Sequence, residues 1–262
     1  MKNALKKKLK AFFKPFYRLS RPVILTPVRI FFKGLINYIS FFKDLNEYNR
    51  LIPTKRINFR EIYPQLFGKT SATKLDPHYF FQQIWAFGLI KQKSPKEHVD
   101  IGSKLDYVGM LSVITNVTFI DIRPINVKLD NFQSKAGSIL NLPYPDNSIY
   151  SISCLHVIEH IGLGRYGDHI DPNGSKKAAK EITRVLAKNG YLYLSVPIGK
   201  PNVCFNAHRI FSPYDILSMF DKLTIKSFSV INDNGEYIIG ANLEDYLNAK
   251  YACGLFCMVY ND

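Results

Sequence analysis

Cysteine is scarce in this sequence. The 262 residues contain 4 cysteines, at positions 154, 204, 253 and 257, and all lie in apolar surroundings. So few thiols exclude a disulfide framework and indicate a reducing compartment. Cys253 and Cys257 are four residues apart on a predicted strand, but a metal site there would need further ligands that the sequence does not show beside them. We therefore predict no bound metal.

Long apolar runs are also missing. Residues 23–42 are apolar but are interrupted by Pro27, Arg29 and Lys33, so they form a poor candidate for a membrane-spanning helix. The lysine-rich residues 1–17 are not followed by the unbroken apolar stretch that a secretory signal requires. Internal repeats are absent as well. With an apolar content of 47%, we expect a cytoplasmic protein with one globular domain and an extension.

Acidic residues are rare at the start of the chain. Residues 1–60 hold fifteen Lys and Arg against two acids, a net charge of +13, whereas residues 61–262 hold twenty against nineteen, a net charge of +1. We predict a basic N-terminal extension, residues 1–60, and a nearly neutral domain, residues 61–262. One helical face of the extension is apolar. Its members are Leu5, Leu9, Phe12, Phe13 and Phe16.

Three interpretations of the extension are open. Its aromatic and basic residues suit an anionic membrane surface, with residues 1–45 lying in the interface. It can equally be a helical collar packed on the domain, with solvated lysines. Binding to RNA is the least favoured interpretation, because no recognition module accompanies the charge, so we expect no nucleic-acid partner.

The rest of the chain alternates between apolar runs and helical segments. This alternation predicts an α/β domain with a mostly parallel sheet and helices on both faces. The predicted strands are residues 98–103, 117–121, 149–155 and 191–197, followed by two late strands at 223–230 and 251–260.

Two helices flank the predicted strands. Residues 76–90 form the first, and Ser212 caps the second, which has Pro213 at its first position and runs to Phe220. The buried side of the first helix is predicted to consist of Phe80, Phe81, Ile84, Trp85 and Leu89.

Acids and a glycine mark the ends of the first two strands. Asp100, Gly102 and Ser103 end the first, and Asp121 ends the second. Such sheets bind ligands beyond the carboxyl ends of their strands. The missing side chain of Gly102 lets backbone N–H groups approach a ligand closely. A plain strand-to-helix turn at Gly102 and an exposed strand-end acid at Asp121 are the alternatives.

Several motifs carry a family resemblance. Leu142-Pro143, Asp146-Asn147-Ser148-Ile149 and His156-Val157-Ile158-Glu159-His160 resemble the class I S-adenosylmethionine-dependent methyltransferases, in particular the ubiquinone-biosynthesis type. Two longer motifs, residues 155–168 and 203–211, resemble an uncharacterised methyltransferase-like family. Members of that family often belong to bacterial surface-polysaccharide systems. The resemblance covers residues 76–258.

The resemblance implies a Rossmann-like fold that ends in an antiparallel strand pair, and S-adenosyl-L-methionine as cofactor. Asp121 would bind the ribose hydroxyls, and Ser138 and Ile139 would lie near the adenine. Lys104 and Asp106 depart from the glycines of the wider fold, which weakens the cofactor assignment. The implied cofactor-binding residues are Asp100, Gly102, Ser103, Asp121, Ile122, Ser138, Ile139, Cys154 and Leu155.

Histidines supply the candidate catalytic groups. His156 and His160 would share a helical face with Glu159 beside them. Three interpretations of this cluster are open: a general base with an orienting carboxylate, a metal-binding pair of histidines, or a structural turn. His208 is an alternative base, unless it belongs to a merely packed loop.

Two loops carry the candidate substrate-binding residues. Arg165 and Tyr166 lie between glycines on a predicted loop and suit a phosphate, a carboxylate or a sugar ring, or else form a structured turn. Asn206 and Arg209 lie in the later motif, where an acceptor would arrive.

The leading hypothesis is methyl transfer from S-adenosylmethionine to a sugar or lipid-linked glycan acceptor, at the inner face of the cytoplasmic membrane. The second is a non-catalytic methyltransferase-like scaffold or binding subunit of a polysaccharide assembly complex. An RNA methyltransferase is a third, supported only by the basic extension.

Overall fold

A computed structural model describes residues 26–51 and 56–260 of the chain. The chain divides into two compact units, residues 1–74 and residues 75–262. The predicted apolar face between Leu5 and Phe16 lies outside the described residues. The boundary predicted at residue 60 stays a prediction.

The first unit contains one long helix, α1, at Thr26–Leu51. Pro27 does not interrupt it, because proline is tolerated in the first turn of a helix. Asn37 Nδ2 donates a hydrogen bond to Leu66 O over 2.6 Å, and Lys69 forms an ion pair with Asp44. These bonds tie the following segment back onto α1. In the part of the chain that the structure describes, no helix is both long and apolar enough to cross a membrane.

The second unit is built on an eight-stranded sheet with the order β3-β2-β1-β4-β5-β10-β8-β9. Its strands are β1 (Glu97–Ile101), β2 (Asn116–Asp121), β3 (Phe132–Ala136), β4 (Ile149–Leu155), β5 (Leu186–Ile198), β8 (Leu223–Ile231), β9 (Tyr237–Ile239) and β10 (Ala252–Tyr260). The pairs among β1 to β5 are parallel. β10 is antiparallel to both β5 and β8, and β9 is antiparallel to β8.

Helices and short turns connect these strands. The helices of this unit are α2 (Pro77–Lys93), which precedes β1, α3 (Leu105–Leu111), α4 (Gly174–Val185) and α5 (Pro213–Met219), and single 3-10 turns lie at Ile158–His160 and Leu243–Tyr246. A further 3-10 turn, Phe59–Glu61, belongs to the first unit. A separate hairpin pairs β6 (Asn202–Cys204) with β7 (His208–Ile210).

Two apolar layers cover the sheet. Trp85 and Ile90 of α2 pack with Tyr107 and Leu111 of α3 in one layer. The other layer includes Ile182 of α4 and residues of α5. Because both faces are covered, the central strands are almost wholly buried, which explains why they appear in the sequence as continuous apolar runs.

The predicted α/β architecture is therefore confirmed, together with the late antiparallel pair and the Ser212 cap. The predicted buried side of α2 needs correction, since Phe80 and Ile84 are 47% and 53% exposed. The helix instead turns Gln82 and Ala86 inward beside Trp85. Gln82 is accommodated because the Ser195 hydroxyl of β5 donates a hydrogen bond to its Oε1 over 2.6 Å.

Candidate functional site

A cleft of about 130 Å³ lies at the carboxyl ends of the central parallel strands. Sheets of this kind place their ligand sites at this edge. Seven residues predicted from the sequence line the cleft: Gly102, Asp121, Ile122, Ile139, His156, His160 and Tyr166. The fold thus brings candidates from several distant segments of the chain into a single site.

Gly102 and Asp121 form one wall of the cleft. Gly102 has a φ of +64°, a conformation that favours glycine. A Cβ at this position would lie 3.4 Å from the Val157 side chain and 3.7 Å from Asp121 Oδ2. The absent side chain therefore keeps the space beside the carboxylate open.

The amides of this turn are already engaged, which corrects one expectation. Gly102 N donates to Ile120 O over 2.9 Å, and Ser103 N donates to Asp100 Oδ1 over 3.0 Å. The turn contributes open space to the cleft, whereas the predicted approach of free N–H groups to a ligand is not seen. Asp121 Oδ1 accepts from Arg123 N over 2.7 Å, which fixes the carboxylate at the end of β2.

The loop after β3 supplies the neighbouring wall. Gly137 and Ile139 line the cleft, and a Cβ on Gly137 would lie 2.7 Å from the Ile120 side chain. Ser138 lies between them but is not a lining residue. Its Oγ accepts from Leu140 N over 3.2 Å, so its hydroxyl stabilises the turn.

A buried polar chain lies beneath the cleft. The Ser153 hydroxyl donates to Asp100 Oδ2, and the His98 ring lies 2.7 Å from Ser151 Oγ and 2.8 Å from Ser153 Oγ. Burial raises the pKa of Asp100 to about 6 despite the bonds from Ser153 and Ser103. Burial also lowers the pKa of His98 to about 3. Asp100 is therefore part of the interior and does not line the cleft.

Ser103, Cys154 and Leu155, which were also predicted to bind the cofactor, lie in the same interior. Ser103 Oγ accepts a hydrogen bond from Leu155 N over 3.1 Å, which joins the turn after β1 to the end of β4. Cys154 is fully buried, and burial raises the pKa of its thiol well above its usual value. These residues support the cleft from the interior. Their contact with a cofactor stays a prediction.

His156, Glu159 and His160 form a buried cluster at the opposite wall. His156 Nδ1 lies 2.6 Å from Glu159 Oε1, and His160 Nε2 lies 3.6 Å from the same oxygen. The predicted helix is only a single 3-10 turn at Ile158–His160. His156 precedes it with a φ of +57°, a strained conformation for a residue with a side chain.

The two histidines differ in their surroundings. Burial lowers the pKa of His156, but the adjacent Cys253 and Glu159 outweigh burial and raise it to about 10. Burial lowers the pKa of His160. His160 Nδ1 bonds to Ala207 O, and since a carbonyl only accepts, Nδ1 carries the proton and Nε2 presents its lone pair. His160 therefore has the properties of a base.

The glycine-rich loop after this turn is held by one carboxylate. Asp168 Oδ2 accepts from Gly162 N over 2.7 Å and from Gly164 N over 3.3 Å. Tyr166 lines the cleft, and two guanidinium groups lie close to its ring, with Arg123 4.9 Å and Arg165 5.1 Å from the ring centroid. The loop thus presents an aromatic ring flanked by positive charge.

Arg165 itself reaches the hairpin. Its guanidinium donates to Ala207 O over 3.0 Å, and Asn206 Nδ2 lies 3.5 Å from Leu163 O. His208 of β7 packs against Tyr251, with ring centroids 4.9 Å apart, and burial lowers its pKa. Neither Arg165, Asn206 nor His208 lines the cleft, although they connect the loop to β6 and β7 beside it.

Arg209 occupies a supporting position. It is only 8% exposed, and its guanidinium donates to Ile161 O over 2.6 Å and to Ser175 Oγ over 3.1 Å. Longer bonds of 3.3 Å and 3.4 Å reach Asp171 O and Pro172 O. The predicted contact between Arg209 and an acceptor anion is therefore not seen, because the guanidinium holds the loop in place.

Two residues that sequence reasoning did not assign to the site lie against His156. Cys253 Sγ is 3.4 Å from His156 Nε2, and the His78 ring stacks on the His156 ring with centroids 5.5 Å apart. His78 comes from the first turn of α2 and Cys253 from the start of β10. No local sequence motif joins these segments, so only the fold reveals their proximity.

The sheet order and the position of the cleft define a Rossmann-like methyltransferase fold. A putative sarcosine dimethylglycine methyltransferase from Galdieria sulphuraria has a similar structure, with 15% identity, a TM-score of 0.52 and coverage of 70% of this chain and 86% of that one. A chain of the complex between the Haloferax volcanii Trm112 methyltransferase activator and the putative methyltransferase is also similar. It shows 14% identity, a TM-score of 0.50 and coverage of 71% and 90%.

More narrowly, the chain belongs to the family described as "Caenorhabditis protein of unknown function, DUF268", which it matches over residues 101–246. That segment contains the whole cleft from Ile101 to Tyr166, but neither His78 nor Cys253. No curated protein matches the sequence.

Proposed function

We propose that this protein is an S-adenosylmethionine-dependent methyltransferase that acts on a sugar or lipid-linked glycan acceptor. One observation carries the proposal. The strand-end carboxylate of Asp121, the side-chain-free turn at Gly102 and the buried His156–Glu159–His160 cluster converge on one cleft at the ligand-binding edge of the sheet.

The residues present fit the cofactor. Asp121 Oδ1 is held by a backbone amide, and Oδ2 faces the space that a Cβ on Gly102 would restrict. A carboxylate in this position accepts hydrogen bonds from ribose hydroxyls. Ile122 and Ile139 offer apolar surface for a base. When bound, the cofactor supplies an electrophilic methyl group.

The chain's own residues would position the acceptor and take its proton. Tyr166 lines the cleft with the guanidinium groups of Arg123 and Arg165 close to its ring, and this combination of a phenol with positive charge suits a sugar that carries an anionic group. His160 Nε2 would accept the proton of an acceptor hydroxyl, and Glu159 Oε1, 3.6 Å away, would stabilise the imidazolium that forms. The protein would mostly contribute positioning.

Glu159 strengthens this assignment. Among the described residues, its Oε2 is a buried side-chain oxygen without a hydrogen-bond partner. A polar oxygen without a partner in the interior costs free energy. Its position next to both histidines of the cluster is retained despite this cost.

The test is methyl transfer from labelled S-adenosylmethionine to the glycan and lipid fractions of a cell-envelope extract. We expect label in a polar or lipid-linked saccharide, and its loss with Asp121→Ala. Asp130→Ala, which removes an exposed carboxylate away from the cleft, should retain the label. Label confined to RNA or protein would contradict the acceptor class. Absence of label in every fraction, with no binding of cofactor, would reject the activity.

A non-catalytic scaffold is the second candidate. Lys104, in the position of a usual glycine, lies 3.7 Å from the Tyr79 ring centroid, so the turn after β1 carries a long side chain. A chain that folds normally and binds neither S-adenosylmethionine nor its demethylated product in calorimetry would favour the scaffold.

We also propose that α1 attaches the protein to an anionic membrane surface. Several of its large apolar side chains are exposed, including Ile36 at 67% and Ile39 at 73%. Such side chains next to a strongly basic segment suit the membrane interface.

Co-sedimentation with anionic liposomes tests this attachment. Ile36→Glu together with Ile39→Glu should reduce binding, and high salt should weaken the wild type, because screening acts over about 8–10 Å. Val113→Glu, at an 81% exposed position on the other unit, should bind as the wild type does. Equal sedimentation of all three proteins would reject the proposal.

A further inference from the structure

Three metal-ligating side chains meet at the wall of the cleft that holds His156. His78, His156 and Cys253 each offer one ligand atom, and these atoms all lie within 4.8 Å of one another. They come from the first turn of α2, the turn after β4 and the start of β10. Three separate rigid elements therefore aim nitrogen and sulfur atoms at one point.

We propose that His78, His156 and Cys253 bind a zinc ion. Two imidazole nitrogens and one thiolate form a ligand set that zinc uses, and three protein ligands leave the fourth tetrahedral position open. This site shares His156 with the cleft but uses none of the residues assigned to the cofactor, so zinc binding and cofactor binding can each fail without the other.

The distance between His156 and Cys253 supports this assignment. Zinc bonds of about 2.0–2.1 Å to nitrogen and 2.3 Å to sulfur place the two ligand atoms about 3.6 Å apart in a tetrahedron. His156 Nε2 and Cys253 Sγ are 3.4 Å apart. The pair is thus already spaced for a shared cation, and His78, which is only half-buried, is the ligand with room to adjust.

Glu159 provides the outer support that metal-binding histidines usually have. Its Oε1 lies 2.6 Å from His156 Nδ1 and accepts the proton of that nitrogen, which leaves Nε2, directed at Cys253, as the nitrogen available to a metal. Carboxylate partners of this kind fix the tautomer and orientation of a ligating imidazole. The left-handed backbone at His156, with φ of +57°, is a strained conformation retained at the centre of the cluster.

Rings close the site from the side. The His78 ring lies between the His156 ring, at 5.5 Å, and the Tyr251 ring, at 5.1 Å. Cys253 is fully buried. An enclosed thiol of this kind is protected from solvent, and uptake of zinc would replace its proton with the metal.

The test uses the full-length protein after treatment with a chelator. Titration with zinc, followed by calorimetry, should give one ion per chain with release of protons from the ligands, as judged from the dependence of the heat on the buffer. Cobalt should produce the absorption of a thiolate-bound ion. His78→Ala and Cys253→Ser should each weaken zinc binding by at least about a hundredfold, and Glu159→Gln by about 10–100-fold.

Two matched controls define specificity. Cys257→Ser changes the next cysteine on β10, and His208→Ala changes a histidine that packs on the same Tyr251 ring. Both should bind zinc as the wild type does. Because His78 is half-buried, His78→Ala should fold even if Cys253→Ser does not, so the site remains testable. A wild type that takes up neither zinc nor cobalt, or a His78→Ala variant that binds as well as the wild type, would overturn the proposal.

Discussion

Asp100 offers a quantitative test of the polar interior beneath the cleft. Its pKa is raised from 3.8 to about 6 by burial. Between these two values the unfolded chain has lost the proton that the folded chain retains. Stability contributed by the protonated carboxyl is therefore complete below about pH 3.8 and is lost as the pH rises through 6. At about 1.4 kcal/mol per unit, the loss amounts to about 3 kcal/mol.

The perturbation is Asp100→Asn, which cannot titrate. The difference in unfolding free energy, variant minus wild type, should rise by about 2–3 kcal/mol between pH 4 and pH 7. The substitution also alters the hydrogen bonds to Ser103 and Ser153, but this changes the difference by an amount that does not depend on pH. His98 titrates in both proteins, so its contribution cancels in the difference. Only the pH dependence therefore reports the buried carboxyl.

Urea unfolding at several pH values measures the effect. Asp130→Asn, at an exposed position, should show a difference that does not change with pH. A flat difference for Asp100→Asn, or one that falls as the pH rises, would refute the reasoning.

Two further predictions concern the loop after β4. Gly162→Ala should destabilise the fold by at least about 2 kcal/mol in urea unfolding, because a Cβ would lie 2.0 Å from Asp171 O at a φ of +80°. Gly167→Ala, with a φ of +84° and nothing within 4 Å of the added Cβ, should lower the free energy of unfolding by only about 1 kcal/mol. Equal losses of stability in the two variants would show that the structure relieves the contact between the Cβ at position 162 and Asp171 O. Tyr166→Ala should lower kcat/KM for methyl transfer at least tenfold, about 1.4 kcal/mol, whereas Tyr166→Phe should stay within about threefold, since the ring is the contact surface. Unchanged turnover of Tyr166→Ala would leave the ring without a role in acceptor binding.

The sequence was sufficient for the central strands, because each of them is buried on both faces and therefore appears as an apolar run. Asp121 and Gly102 were predictable for the same reason, since they end such runs. The short strands β3 and β9 were not predicted, because they are largely exposed and form no such run. The buried side of α2 was not predictable. Gln82 faces the core only because Ser195, far along the chain, meets its side chain.

The wall of the cleft that holds the histidines was predicted less completely. The spacing of His156, Glu159 and His160 identified the cluster, but the neighbours of His156 come from positions 78 and 253, which no local pattern connects. Arg209 shows the converse. Its place in a polar motif predicted that it binds the acceptor. Its actual bonds to Ile161 O and Ser175 Oγ depend on how the loop folds, which the sequence does not show.

The affinity of the chain for S-adenosylmethionine, with and without the Asp121 carboxylate, tests the central claim most directly. In calorimetry we expect the wild type to bind S-adenosylmethionine and its demethylated product. Asp121→Ala should weaken both by about 1–3 kcal/mol, or about 5- to 150-fold, with Asp130→Ala unchanged. A folded wild type that binds neither molecule, or an Asp121→Ala variant with an unchanged dissociation constant, would contradict the claim that this cleft holds the cofactor.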